Sequence, residues 1–171
     1  MRRIYYLIFT FVLIFTFENQ AQELSVNIQT RYGILAGNSF ETGGRGGSFG
    51  IDYLYQLKPS LQTVVGAEMS LVPWGTNLSG NLGLKYTKEI SPKWNWTLKV
   101  ETQQGIALFR MNELYAWGLS GIGGIEYKLS PKSILSICTG LSYTSCPAYK
   151  SYGLITNYLD LPVEIAYRLK L

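Results

Sequence analysis

Leu161-Pro162-Val163-Glu164-Ile165-Ala166-Tyr167-Arg168-Leu169-Lys170-Leu171 is the stretch on which the fold turns. Its odd positions are apolar or aromatic throughout, and its even positions hold Pro162, Glu164, Ala166, Arg168 and Lys170. A period of two means a β-strand, with one face for an apolar environment and one for a polar environment. Eleven residues are also enough to cross a bilayer at a tilt. The segment reads as the closing strand of a sheet whose other members lie upstream.

Working back from it, the same alternation recurs. Seven further strands follow from it: strand 1 over 24–36, strand 2 over 49–57, strand 3 over 61–71, strand 4 over 81–86, strand 5 over 94–108, strand 6 over 115–129 and strand 7 over 135–143. Three similar turns, Lys58-Pro59-Ser60, Ser91-Pro92-Lys93 and Ser130-Pro131-Lys132, alternate with longer connections at 37–47, 72–79, 110–114 and 145–157. Eight strands with short turns at one end and longer loops at the other predict an all-β chain. Its form would be an antiparallel up-and-down transmembrane β-barrel with the short turns in the periplasm. The glycine-rich run 42–48 has neither dinucleotide nor P-loop spacing, and reads as an exposed loop.

The N-terminus is organised differently. Met1-Arg2-Arg3 is a basic start, 4–17 is apolar, and 18–22 is polar, which is the order of an export signal cut near Ala21. The expected division is therefore a signal peptide over 1–21 and a barrel over 22–171. No cysteine stands at the cleavage zone, so a lipid anchor there is excluded. Losing Arg2, Arg3 and Glu18 takes the chain from 15 bases and 11 acids to 13 and 10, a balance that does not point to a nucleic-acid partner.

Alternation leaves open which face is inside, because a secreted ligand-binding calyx alternates too. Volume decides. An eight-stranded barrel is just wide enough for side chains to fill it, and the apolar face includes Trp94, Trp96 and Trp117, whereas the other face supplies Gly33, Gly50, Gly66, Gly83, Gly105, Gly118 and Gly140. Charge agrees with volume. Arg31, Asp52, Glu68, Lys85, Lys99, Glu101, Glu126, Lys128, Asp160, Glu164, Arg168 and Lys170 all share the small, polar face. Independent placement would do this about once in four thousand trials. Six acids and six bases predict a lumen network of balanced ion pairs. Tyr53, Tyr55, Trp94, Trp96, Tyr127 and Tyr167, towards the periplasmic ends, and Trp117, towards the outer ends, are the expected aromatic girdles.

In architecture the chain resembles the small OmpA/OmpX-type eight-stranded outer-membrane barrels. The run Tyr158-Leu159-Asp160-Leu161-Pro162-Val163-Glu164-Ile165-Ala166-Tyr167 resembles a strand of PorT-like porin-family barrels. The resemblance implies export to a Gram-negative outer membrane, outer-membrane lipid around the barrel, and barrel-assembly machinery that reads the final strand. Leu171 stands where such strands usually end in Phe. A monomer is the expected state, and the partner of the outer loops is not written in the sequence.

The chain has no histidine. Barrel hydrolases of the outer membrane use histidine as base, so the sequence predicts no enzyme, with no catalytic, cofactor or metal site. Glu68 and Lys99 are expected to form a structural ion pair. Cys138 and Cys146, about 26 Å apart if the strand stays extended, are expected as free thiols. Pro162, lacking an N–H, is expected at the start of the last strand or at a bulge. The leading reading is a structural or interaction scaffold with a plugged lumen and contact-making outer loops. The alternatives are a narrow channel, a membrane enzyme and a soluble lipocalin-like calyx.

Overall fold

The computed structural model describes residues 22–36, 45–72, 75–109, 112–153 and 156–171, so the expected signal peptide lies outside the described residues. Eight antiparallel strands run in chain order: β1 (Gln22–Ala36), β2 (Arg45–Lys58), β3 (Leu61–Val72), β4 (Gly75–Ser91), β5 (Trp94–Phe109), β6 (Asn112–Lys128), β7 (Ser133–Ser145) and β8 (Asn157–Lys170). They close into one barrel in which β8 pairs with β1. Closure satisfies every edge, which a sheet in hydrocarbon requires.

The register fixes the shape. Following partners around the barrel leads from Glu23 through Leu54, Val64, Gly83, Glu101, Ser120, Ser142 and Asp160 to Gly33. The path returns to β1 ten residues beyond its start. For eight strands at ordinary spacings, that stagger means a tilt of about 40° and a cylinder of about 8 Å radius.

Exposure is inverted relative to a soluble protein. Ile28 and Leu82 are 61% and 55% exposed, while Glu126 is 0% exposed. The apolar face points outward along every strand, and between the two rims the charges point in. Trp117 and Tyr127 lie ten residues apart on β6, about 25 Å along the axis at this tilt, the height of a lipid-facing band. Below, Trp94 and Tyr127 are cross-strand partners with rings 4.7 Å apart, and Tyr86 meets Trp96 edge-on at 6.2 Å. Tyr53, Tyr55 and Tyr167 occupy outward positions of the same zone. Above, Trp117 packs on Tyr143 at 5.5 Å. A belt of this composition places the barrel across a bilayer rather than around an apolar ligand, and the short turns mark its periplasmic end.

Three expectations about the strands change. β4 starts at Gly75 and β6 at Asn112, so most of 72–79 and 110–114 is strand. Residues 37–44, most of the first expected loop, lie outside the described residues. Arg45 to Ser48, read as loop, are part of β2. Cross-strand pairing of these polar ends outside the apolar belt, rather than their composition, makes them strand. Pro162 sits inside β8, buried and lumen-facing. There the β7–β8 register passes from Thr139↔Val163 to Ser142↔Asp160, an interruption that suits a residue with no N–H to give.

Candidate functional site

Lumen-facing glycines let the strands curve closely and leave room for long side chains. A Cβ on Gly66 would fall on the Asp52 carboxylate, and one on Gly140 would fall on the Gly121 carbonyl. Leu54, Val64, Ile122 and Ile134 also point inward and are buried. They share the parity of the polar face, and it is their apolar chemistry that hides them among its residues. They fill the space left beside glycines, as Ile122 does opposite Gly140.

The charged residues form three tiers. Nearest the outside, Arg31 binds Glu68, whose carboxylate also accepts from Ser70 Oγ at 2.7 Å and Gln103 Nε2 at 3.3 Å. In the middle, Lys99 Nζ lies 2.9 Å from Glu164, 3.4 Å from Glu101 and 3.5 Å from Asp52. Gln29 donates to Glu164 at 2.8 Å, Asn27 to Asp52 at 2.9 Å, and Ser120 to Glu101 at 3.2 Å. In the lowest tier, Arg168 reaches Glu126 at 2.8 Å and Glu23 at 3.1 Å, and donates to Gln62 at 3.2 Å. Lys85 also meets Glu126, at 2.6 Å. Arg168 thereby links β8 to β1, β3 and β6.

Several sequence-derived assignments are corrected. Glu68 pairs with Arg31, and Lys99 takes Asp52, Glu101 and Glu164 instead. Lys128 and Lys170 have inward parity but stand at the periplasmic rim: Lys128 pairs there with exposed Glu89 at 3.1 Å, and Lys170 is exposed. Glu23, one residue before the apolar run of strand 1, belongs to the network. The fully buried set is therefore Glu23, Asp52, Glu68, Glu101, Glu126 and Glu164 against Arg31, Lys85, Lys99 and Arg168, six acids to four bases rather than an even balance. The chain's parity carried the signal for Glu23, since Ser25 and Asn27 share its face.

The two ends differ. At the outer end, the β7–β8 connection forms a short 3₁₀ turn, Pro147–Tyr152, with Pro147 in its first turn and Gly153 closing it at φ 68°. Tyr149 is buried with Ala107, Ala116 and Cys146, with Leu114 and Tyr158 packed against them. Ala107 and Ala116 continue the inward parity of β5 and β6, so the Tyr149 ring sits within the outer mouth. Burial pushes the Cys146 thiol and the Tyr149 hydroxyl above their ordinary pKa values. Cys138 faces the lumen lower on β7, and both cysteines are free thiols. At the periplasmic end a cavity of about 200 Å³ opens between the turns, floored by Arg168.

With this geometry in view, the solved structures are informative. Neisserial surface protein A superposes with a TM-score of 0.66 at 12% identity, covering 88% of this chain and 97% of that one. The chain has the fold of an eight-stranded outer-membrane barrel. Ail of Yersinia pestis matches at 10% identity and a TM-score of 0.49, over 88% of this chain and 100% of that one. OprG of Pseudomonas aeruginosa matches at 12% and 0.49, over 90% and 97%. At these identities the likeness is one of fold alone. No protein-family model and no curated protein sequence matches the chain.

Proposed function

We propose that this outer-membrane barrel is a non-conducting, non-enzymatic scaffold, its lumen plugged by its own side chains and its connections outside the membrane available for contact. The observation carrying this reading is the middle tier. Lys99 draws carboxylates from β2, β5 and β8 into the centre of a cylinder of about 8 Å radius. Passage of an ion would require several of these contacts to open together, which a polarised network resists. The Arg168 cluster below and Tyr149 above add two further obstructions on the same axis. Histidine, the usual base of hydrolases on such barrels, is absent from the sequence, and that supports the non-enzymatic half of the reading.

The full chain reconstituted into planar bilayers should give no steady conductance steps. Regular, ion-selective openings that vanish on Arg31→Gln or Glu68→Gln would replace the scaffold with a channel.

A further inference from the structure

The periplasmic mouth has a charge pattern that the scaffold reading leaves unused. Lys58, Lys88, Lys93, Lys128, Lys132 and Lys170 stand at this end, with Glu89 the one exposed acidic side chain among the described residues there. Backbone bonds lock like charges side by side. Lys128 N–H donates to the Lys93 carbonyl at 2.9 Å, and Lys170 N–H to the Lys132 carbonyl at 2.9 Å. Lys88 has outward parity and faces the lipid side. Lys128 and Lys170 have the opposite parity and line the cavity, together with Arg168, the amides of Gln56 and Asn95, the Ser60 hydroxyl and two carboxylates, Glu23 held by Arg168 and Glu89 held by Lys128. Lys170 has no ion-pair partner among the described residues, and Lys128 shares only Glu89.

We propose that the periplasmic mouth is a docking site for an acidic peptide segment, whose carboxylates enter between Lys128 and Lys170. The mouth has a volume of about 200 Å³ and a polar lining, and takes one or two carboxyl groups. Positive charge continues beyond it on the turns, so an extended ligand with carboxylates along its length matches this end better than a compact anion. The rest of the segment then runs over the turns bearing Lys58, Lys93 and Lys132, where a string of carboxylates meets the remaining positive charge. Arg168, already held by Glu23, Glu126 and Gln62, forms a closed floor, so the ligand docks and does not pass.

The probe is a fluorescein-labelled hexaglutamate, titrated by anisotropy against the full chain in phosphatidylcholine nanodiscs. Saturable binding is expected, weakened at least tenfold by 0.5 M salt and by the double variant Lys128→Gln/Lys170→Gln. Gel migration without boiling checks that the variant is folded. Lys88→Gln and Lys150→Gln, on the lipid face and the outer cap, should bind as the wild type does. Succinate and inorganic phosphate, which reach the cavity but not the turn lysines, should displace the probe at least tenfold less effectively than unlabelled hexaglutamate at matched charge concentration. Four outcomes would overturn the proposal: no binding; equal binding by the double variant; equal loss in Lys88→Gln, which would mean a diffuse headgroup-type surface; or displacement by succinate or phosphate as effective as by hexaglutamate, which would mean a site for small free anions.

Discussion

On β7, Ile137 leaves 51% of its surface exposed while its neighbour Cys138 leaves 5%. The two residues share a backbone, a register and a sheet, and differ only in which side of the cylinder they face. In water this arrangement would be unstable. In lipid it is required, because hydrocarbon solvates Ile137, and the lumen is the only place where a polar side chain finds partners. The hydrophobic effect thus holds the outside of this barrel in its membrane, while hydrogen bonds and ion pairs organise the inside.

The largest test of that contrast is Lys99→Met. It leaves the carboxylates of Asp52, Glu101 and Glu164 without their shared cation, and losing one partner of a buried ion cluster costs about 3–5 kcal/mol. Urea titration of folding into vesicles should show a midpoint lowered accordingly, partly restored by adding Asp52→Asn and Glu164→Gln. An unchanged midpoint would mean that the tier contributes no ion pairing.

Next in size is the neighbour pair itself. Ile137→Arg puts a cation into the lipid belt, at a cost of about 2–4 kcal/mol near the midplane. Cys138→Ser keeps a small polar group in the lumen and should fold normally. Heat-modifiable gel migration and the urea midpoint read both variants. Equal damage from the two would reverse the facing assigned to β7.

Most of this contrast was legible from residues alone, because the pleat repeats every two residues and one misplaced charge in lipid is costly enough to keep the pattern clean. What was missed has two sources: residues whose parity was right but whose position or chemistry hid it, and features that alternation does not encode. Glu23 lay just outside the strand recognised by its apolar residues. Leu54, Val64, Ile122 and Ile134 are apolar yet face inward, because a glycine-lined lumen still needs volume. The outer part of β4 carries Thr76, Asn77 and Ser79, which read as loop, and cross-strand pairing makes it strand. The pairing of Lys99 with Asp52, Glu101 and Glu164 depends on the ten-residue stagger, a property of the closed cylinder that no single strand displays.

The smallest expected effect compares the two thiols. Cys138 is enclosed in the barrel wall, whereas Cys146 is enclosed only by the cap built on Tyr149. Tyr149→Ala should open the cap locally and leave the global unfolding free energy from urea titration within about 0.5 kcal/mol, since the transmembrane ladder is untouched. Maleimide labelling of Cys146 should then speed up by at least tenfold, which corresponds to about 1.4 kcal/mol of lost cap packing, while Cys138 stays unlabelled until the barrel unfolds. The pH dependence supplies a second reading. Thiolate is the reacting form, and burial holds the Cys146 pKa above its ordinary value, so in the intact cap labelling should rise only at higher pH than for a free thiol. Opening the cap should bring that rise back toward the ordinary range. Equal acceleration at both cysteines would mean that the cap and the wall open as one unit, and that Tyr149 belongs to the barrel's global stability.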